Sequence, residues 1–239
     1  MISTAMLKIA ALVVATFAEW VAYTPPNARL KAEDTSAYNG GDTLSHVAIV
    51  LTRGIKVCCW AGYACEIAAL LAKDAHTPTA STIIILLFKD PSAAQRLTFS
   101  LPFLLGLLAL LSGAALRKWC YRTLGRHFTF QLSVLREHKL VTSGPYGFVR
   151  HPSYTGVIAA MGGMLATQFA PGGWLRESGW LKTAWGKSAA AVWVAVMACV
   201  SVGFVRGARK EDEVLRKEFG TQWDEWAWRV PYALIPCVY

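Results

Sequence analysis

Residues 97–116 read Leu-Thr-Phe-Ser-Leu-Pro-Phe-Leu-Leu-Gly-Leu-Leu-Ala-Leu-Leu-Ser-Gly-Ala-Ala-Leu, and Arg117-Lys118-Trp119 follow. An uncharged run of about 20 residues, rising 1.5 Å per residue as a helix, matches the ~30 Å hydrocarbon core of a bilayer. Two cations and an indole at its end suit the lipid–water boundary. Composition points the same way. Of 239 residues, 54% are hydrophobic and only 16% charged, with a mean hydropathy of +0.36. A soluble domain carries about 25% charged residues. The fold class expected is therefore all-α, an integral membrane helical bundle.

The same ruler lays out about five crossings: Ala5–Tyr23, Leu44–Leu71, Leu97–Leu116, Ser153–Ala170 and Ser188–Val205. Ser81–Phe88 is apolar but too short to cross. The first run is long for the core of a signal peptide, and Glu19-Trp20 is a poor cleavage context, so a retained helix is expected. Residues 1–116 form an N-terminal group of helices, and residues 117–239 form a C-terminal half in which loops alternate with two helices.

The net charge of +9 could suggest nucleic acid. The basic residues instead sit in short segments beside apolar runs, with no basic stripe interleaved with aromatics. The segments Arg117–Arg150 and Arg206–Lys210 hold ten of the 24 Lys and Arg residues, and five crossings put both on one side. The positive-inside rule makes that side cytosolic. The loop Pro171–Lys187 then faces the other side, despite Arg176, Lys182 and Lys187. Six cysteines (Cys58, Cys59, Cys65, Cys120, Cys199, Cys237) form no Cys-x-x-Cys pair and no Cys/His spacing that suits zinc. They read mainly as small buried hydrophobes.

Function is carried elsewhere. Gly144-Pro-Tyr-Gly-Phe-Val-Arg-His-Pro-Ser-Tyr-Thr-Gly156 places Tyr146, Arg150, His151 and Tyr154 in a Pro- and Gly-rich turn. That turn opens directly onto the fourth apolar run. Polar groups held at such a boundary are costly and usually functional. In the tail, Glu211-Asp212 is an acidic pair beside the inner leaflet. Leu215 and Phe219 share one helix face, and Gly220 is placed to end that helix. Trp223, Trp226, Trp228 and Tyr232 form an interfacial aromatic cluster. No Gly-x-Gly occurs anywhere, which argues against a Rossmann-type nucleotide site.

Leu140–Gly156 resembles the signature of the isoprenylcysteine carboxyl methyltransferase family. A second block resembles the same family: Glu211-Asp212, Leu215, Phe219-Gly220, Trp223, Trp226, Arg229-Val230-Pro231 and Ile235-Pro236. Gln131 followed by His138-Lys139-Leu140-Val141 is a third, weaker match. The resemblance covers roughly Gly125 to Pro236 and implies a membrane enzyme that uses S-adenosylmethionine. Carried over residue by residue, it assigns the cofactor to Gln131, to His138, Lys139, Leu140 and Val141, to Tyr146, to His151, Pro152, Ser153 and Tyr154, and to Glu211. Arg150 joins them as a cation able to pair with a carboxylate.

The acceptor implied is the C-terminal carboxylate of prenylated cysteine, on a protein or as a small prenylcysteine, drawn from the membrane. The location implied is the endoplasmic reticulum membrane, with the site facing the cytosol. The family places an Arg four residues before its acidic pair, and this chain has Gly207 there. Either Arg206 or Arg209 can take over the acceptor carboxylate, or Glu213 is the functional acid, with Arg209 four residues before it. Three rival readings stay open. They are a phospholipid or other lipophile methyltransferase of the same build, an NADPH-dependent sterol reductase relative, and a membrane scaffold without activity.

Overall fold

The computed structural model describes residues 3–24, 26, 35–37, 42–125, 128, 134–135 and 139–238. Its elements are helices α1 (Thr4–Tyr23), α2 (Asp42–Ala72), α3 (Pro78–Leu87), α4 (Leu101–Leu124), α5 (Pro152–Gln168), α6 (Trp174–Glu177), α7 (Ala184–Phe219) and α8 (Thr221–Arg229). The one strand pairing among the described residues joins β1 (Thr35–Ala37) to β2 (Val134–Leu135), antiparallel. The protein is an all-α integral membrane bundle.

Among the described residues four helices are long and apolar enough to cross a bilayer: α1, the Arg53–Ala72 part of α2, α4 and α7. The other expected crossing, Ser153–Ala170, is not among them: the chain there forms α5, whose 17 residues give about 26 Å. Basic residues continue helices here, including past the end expected for the 97–116 run. Arg53 and Lys56 lie inside α2, and α4 continues through Arg117 and Lys118 to Leu124. Lys and Arg are good helix formers, so a change of polarity need not be a change of conformation. Likewise the apolar run Ser188–Val205 and the charged stretch to Phe219 are one 36-residue helix, about 54 Å long. Gly220, at φ +53°, turns the chain into α8.

The chain forms two compact units, each drawn from three segments, so neither coincides with residues 1–116 or 117–239. One comprises Met1–Trp20, Ile55–Ser112 and Ala159–Cys199. Its α1 carries a charge into an apolar setting. Lys8 is 1% exposed. Its ammonium lies 2.7 Å from Glu66 Oε1 and donates to the carbonyls of Thr98 and Gly172, each at 2.6 Å. Glu66 Oε2 accepts from the Trp174 amide at 2.9 Å. A buried ion pair holds best when its other polar atoms are also engaged; here the ammonium has two carbonyls and Glu66 Oε2 an amide, while Oε1 has the charge of Lys8 but no hydrogen bond among the described residues.

In the same unit α4 and α5 approach at glycines. A Cβ on Gly163 would overlap the Leu110 amide nitrogen and lie 2.5 Å from the Gly106 carbonyl oxygen. Small residues let membrane helices pack backbone to backbone. Tyr63 bonds Thr167 at 2.9 Å, and Gln168 donates to the Cys59 carbonyl at 3.0 Å. Cys59 and Cys120 are buried as expected, whereas Cys58, Cys199 and Cys237 are exposed.

The second unit comprises Val21–Gly54, Gly113–Ile158 and Val200–Tyr239. Its core joins Cys120, Tyr146, Trp226 and Val230, flanked by Leu116, Leu124, Leu140, Val141 and Trp223. The chain after α8 runs beside the start of α5. Arg150 and His151 donate their amides to the carbonyls of Tyr232 (2.9 Å) and Ala233 (2.8 Å). The Thr155 hydroxyl donates to the Leu234 carbonyl at 2.6 Å.

Replacing Gly163 with Ala should destabilise the protein by about 1–3 kcal/mol, the usual cost of overpacking. The neighbouring Gly162 has open space at its Cβ position, so Gly162→Ala should be neutral or stabilise by up to ~1 kcal/mol. Thermal unfolding of the two variants in one detergent checks the contrast, and equal midpoints would contradict this helix packing.

Candidate functional site

Both sequence blocks meet in the second unit. Gly144, at φ +60°, starts the 3-10 turn Gly144–Gly147, which buries Tyr146. The Tyr146 carbonyl accepts from the Trp226 indole at 3.1 Å, tying the turn to α8. Burial pushes the Tyr146 phenol well above its ordinary pKa. Pro152 occupies the first position of α5, where a missing amide hydrogen costs nothing. His151 therefore sits at a helix start, and it is only 4% exposed.

The imidazole lies between two carboxylates of α7. Its Nε2 is 2.9 Å from Asp212 Oδ1, and its Nδ1 is 3.4 Å from Glu211 Oε2. Burial alone would lower its pKa. Hydrogen bonds to Asp212 and Glu211 and the charges of both overcome burial and raise it to about 9. At neutral pH His151 is an imidazolium that donates from both nitrogens.

Arg150 holds the same cluster from the other side. Its guanidinium meets Asp212 through Nε, at 3.1 and 3.3 Å, and through NH2, at 3.1 Å. NH1 donates to the carbonyls of Val230 (3.0 Å) and Pro231 (2.6 Å). The carboxylate that Arg150 pairs with is thus the protein's own. Tyr154 stacks on His151 with centroids 5.6 Å apart and packs on Phe204 at 5.3 Å. Its phenol reaches Glu211. Of the cluster's two acids, Glu211 is the open one, at 31% side-chain exposure against 15% for Asp212.

The sequence read Arg117 only as the flank of a membrane run. It is 3% exposed. Its Nε donates to the Tyr121 hydroxyl at 2.8 Å, and its NH1 to the Ser153 carbonyl and hydroxyl, both at 3.1 Å. No carboxylate among the described residues pairs with it. Gly156 makes this approach possible, because a Cβ there would lie 2.9 Å from Arg117 Cγ. Arg206 and Arg209 are exposed on α7. At Gly207, a Cβ would point at the Tyr154 ring edge, 4.0 Å away.

Leu140 and Val141 pack beside Tyr146, while Lys139 is exposed. Gln131 and His138 lie outside the described residues. The Trp223 indole nitrogen is buried without a protein partner among the described residues, between the guanidiniums of Arg150 and Arg216.

Comparison with known proteins reaches one part of this arrangement. The isoprenylcysteine carboxyl methyltransferase family matches residues 104–170. Over 55 residues the chain is 47% identical to protein-S-isoprenylcysteine O-methyltransferase B of Arabidopsis thaliana, covering 22% of this chain and 28% of that protein. Over 55 residues it is 40% identical to a probable protein-S-isoprenylcysteine O-methyltransferase of Oryza sativa subsp. indica, covering 22% and 29%. The matched stretch thus spans under a third of these relatives. No solved structure matches the chain. The family resemblance read from Leu140–Gly156 holds over this short region, and the Glu211 block lies outside residues 104–170.

A histidine whose pKa rises from 6.5 to about 9 on folding contributes stability in full below pH 6.5 and loses it as pH passes 9. The thermal midpoint should therefore fall between pH 6.5 and 9.5, by an amount on the order of 2–3 kcal/mol in stability. His151→Gln should start lower at pH 6.5 and show a flatter profile. A wild-type midpoint unchanged across this range would mean that His151 is neutral in the fold.

Proposed function

We propose that this chain is an S-adenosylmethionine-dependent methyltransferase of the membrane, which esterifies the C-terminal carboxylate of prenylated cysteine. The observation that carries the reading is the joining of Arg150-His151 to Glu211-Asp212, two blocks some sixty residues apart, at 2.9–3.4 Å. The residues suit a methyl donor that bears an ammonium, a carboxylate, a sulfonium and a purine. Glu211 offers an open carboxylate to a cation, Tyr146 and Tyr154 offer aromatic surfaces, and Trp223 has an unused buried donor. The donor would supply an electrophilic methyl carbon. Lys139, Leu140, Val141, Pro152 and Ser153 line or brace the turn, and Gln131 and His138 complete the set that the resemblance implies.

An acceptor carboxylate is already ionised at neutral pH and needs no base. With the donor bound, methyl transfer to the carboxylate oxygen would expel the neutral thioether and require no proton transfer. The protein's part is alignment and exclusion of water. An amine acceptor would arrive protonated and require a base. Both ring nitrogens of His151 are turned to the carboxylates of Glu211 and Asp212, so whatever its charge it is not placed to take a proton from an acceptor. This favours the carboxyl acceptor over the phospholipid-amine reading.

A cation must hold the acceptor. The position where the family carries Arg is Gly207, which faces Tyr154. Arg117, buried and paired with no carboxylate among the described residues, fits the missing role better than the exposed Arg206 or Arg209. The endoplasmic reticulum and a cytosol-facing site follow from the family and from the distribution of basic segments.

Purified protein should bind S-adenosylmethionine and not NADPH. The reverse would favour a reductase, and binding of neither would favour the scaffold. Glu211→Gln should weaken donor binding by roughly 1.5–3 kcal/mol, the scale of a charged hydrogen bond. Arg117→Met should depress methyl transfer to a prenylcysteine substrate while sparing donor affinity, because a clamp on the acceptor does not touch the donor. If Arg206→Ala or Arg209→Ala gives that signature and Arg117→Met does not, the clamp lies on α7.

A further inference from the structure

We propose that His151 makes capture of a cation at Glu211 proton-linked: an ammonium group taking the open side of Glu211 displaces the Nδ1 contact, and the imidazole releases its proton to solvent. The inference rests on the methyl-donor reading of the site and adds a coupling to it.

Charge counting carries the argument. His151 and Arg150 supply two positive charges, and Glu211 and Asp212 two negative ones, within contacts of 2.9–3.4 Å. The cluster is neutral and mostly buried. The other facing groups do not relieve an added cation. Tyr154 from α5 is stacked and uncharged, and the tail offers only the backbone carbonyls of Tyr232 and Ala233. Arg117 from α4 already puts a positive charge beside Tyr154. An incoming ammonium would leave one uncompensated charge in a setting of low dielectric, where such a charge is costly. Losing one proton restores neutrality.

The geometry selects which group loses it. Asp212 is fixed by Arg150 from one side and by His151 Nε2 from the other. Glu211 is more exposed, and its contact with Nδ1 is the longer one, at 3.4 Å. A ligand cation can therefore claim Glu211 without breaking the Arg150–Asp212 pair. The Nδ1–H bond then gives up its proton to buffer. The neutral ring keeps Nε2–H and still donates it to Asp212. His151 acts here as a positioning residue: it holds Glu211 in place until a stronger cation arrives. Arg150 cannot play this part, because a guanidinium does not give up its proton in a protein.

The test is calorimetric titration of the full-length protein in nanodiscs with S-adenosylmethionine at pH 7.0. Phosphate and Tris buffers, which differ widely in ionisation enthalpy, are compared. An α-amino group has a pKa of about 7.7–8.0, so the free ligand is mostly ammonium at this pH and takes up only a small fraction of a proton. The wild type should release close to one proton per ligand bound, and affinity should rise nearly ten-fold from pH 6 to pH 7. In His151→Gln the release and the slope should both vanish.

Equal heats in the two buffers overturn the coupling, as does release that persists in His151→Gln. Should that variant fail to fold, the ring-nitrogen shifts of 15N-histidine in the wild type decide the matter. Movement from imidazolium to neutral imidazole on ligand addition supports the proposal, and an unchanged imidazolium overturns it. Absence of any binding in either buffer overturns the methyl-donor reading, and this coupling with it.

Discussion

The imidazolium of His151, held between Asp212 and Glu211, is the contact on which the second unit depends. Two carboxylates on consecutive residues of one helix repel each other, and at the end of an apolar helix little water is at hand to screen them. His151 and Arg150 neutralise both. The cations can do so only because the loop that bears them is fixed. Their amides are held by the tail at Tyr232 and Ala233, and Arg150 grips the carbonyls of Val230 and Pro231. Loop, helix and tail are thus one electrostatic assembly. Breaking a buried pair of this kind from one side typically costs about 3–5 kcal/mol, because the surviving charge is left uncompensated.

This assembly also explains why the aromatic tail is more than an anchor. Trp226 is buried and bonded to Tyr146, and Trp223 lies between two guanidiniums. Trp228, by contrast, is 85% exposed and fits the anchor reading. The spacing of Trp223 and Trp226, three apart, puts both on the inner face of α8, while Trp228 falls on the other. One helical turn therefore separates tryptophans that build the site from one that meets the lipid boundary.

Much of this was legible in the sequence, and the reasons for the remainder are specific. Uncharged runs of membrane length gave the class and most helices, because hydrophobic length is a strong constraint in a bilayer. Helix ends were misjudged wherever charge was taken as a stop signal: α4 passes Arg117, and α7 passes Arg206. The two blocks were legible as patterns and were expected to meet in one place, but which side chains pair across them was not. Arg150 was assigned a ligand's carboxylate, yet it holds Asp212, a residue left without a role. A one-dimensional motif marks which side chains matter, whereas the partner of each depends on a contact across some sixty residues.

Two buried cations show how far burial alone can be taken as a sign of function. Lys8 and Arg117 are both nearly inaccessible and both lie in helices of membrane-crossing character. Lys8 has Glu66 at 2.7 Å and two carbonyls at 2.6 Å, so its charge and its donors are fully met. It is explained as structure, and it joins three segments of the first unit. Among the described residues Arg117 has a phenol, a carbonyl and a hydroxyl, all neutral. Those acceptors orient the guanidinium but do not neutralise it. A fold that needed only a bridge to Ser153 could use a neutral donor at lower desolvation cost. Retaining a full charge there makes sense if an anion from outside the protein completes the site. The carboxylate of a lipid-borne acceptor is such an anion, and the glycine at residue 207 leaves room for it beside Tyr154.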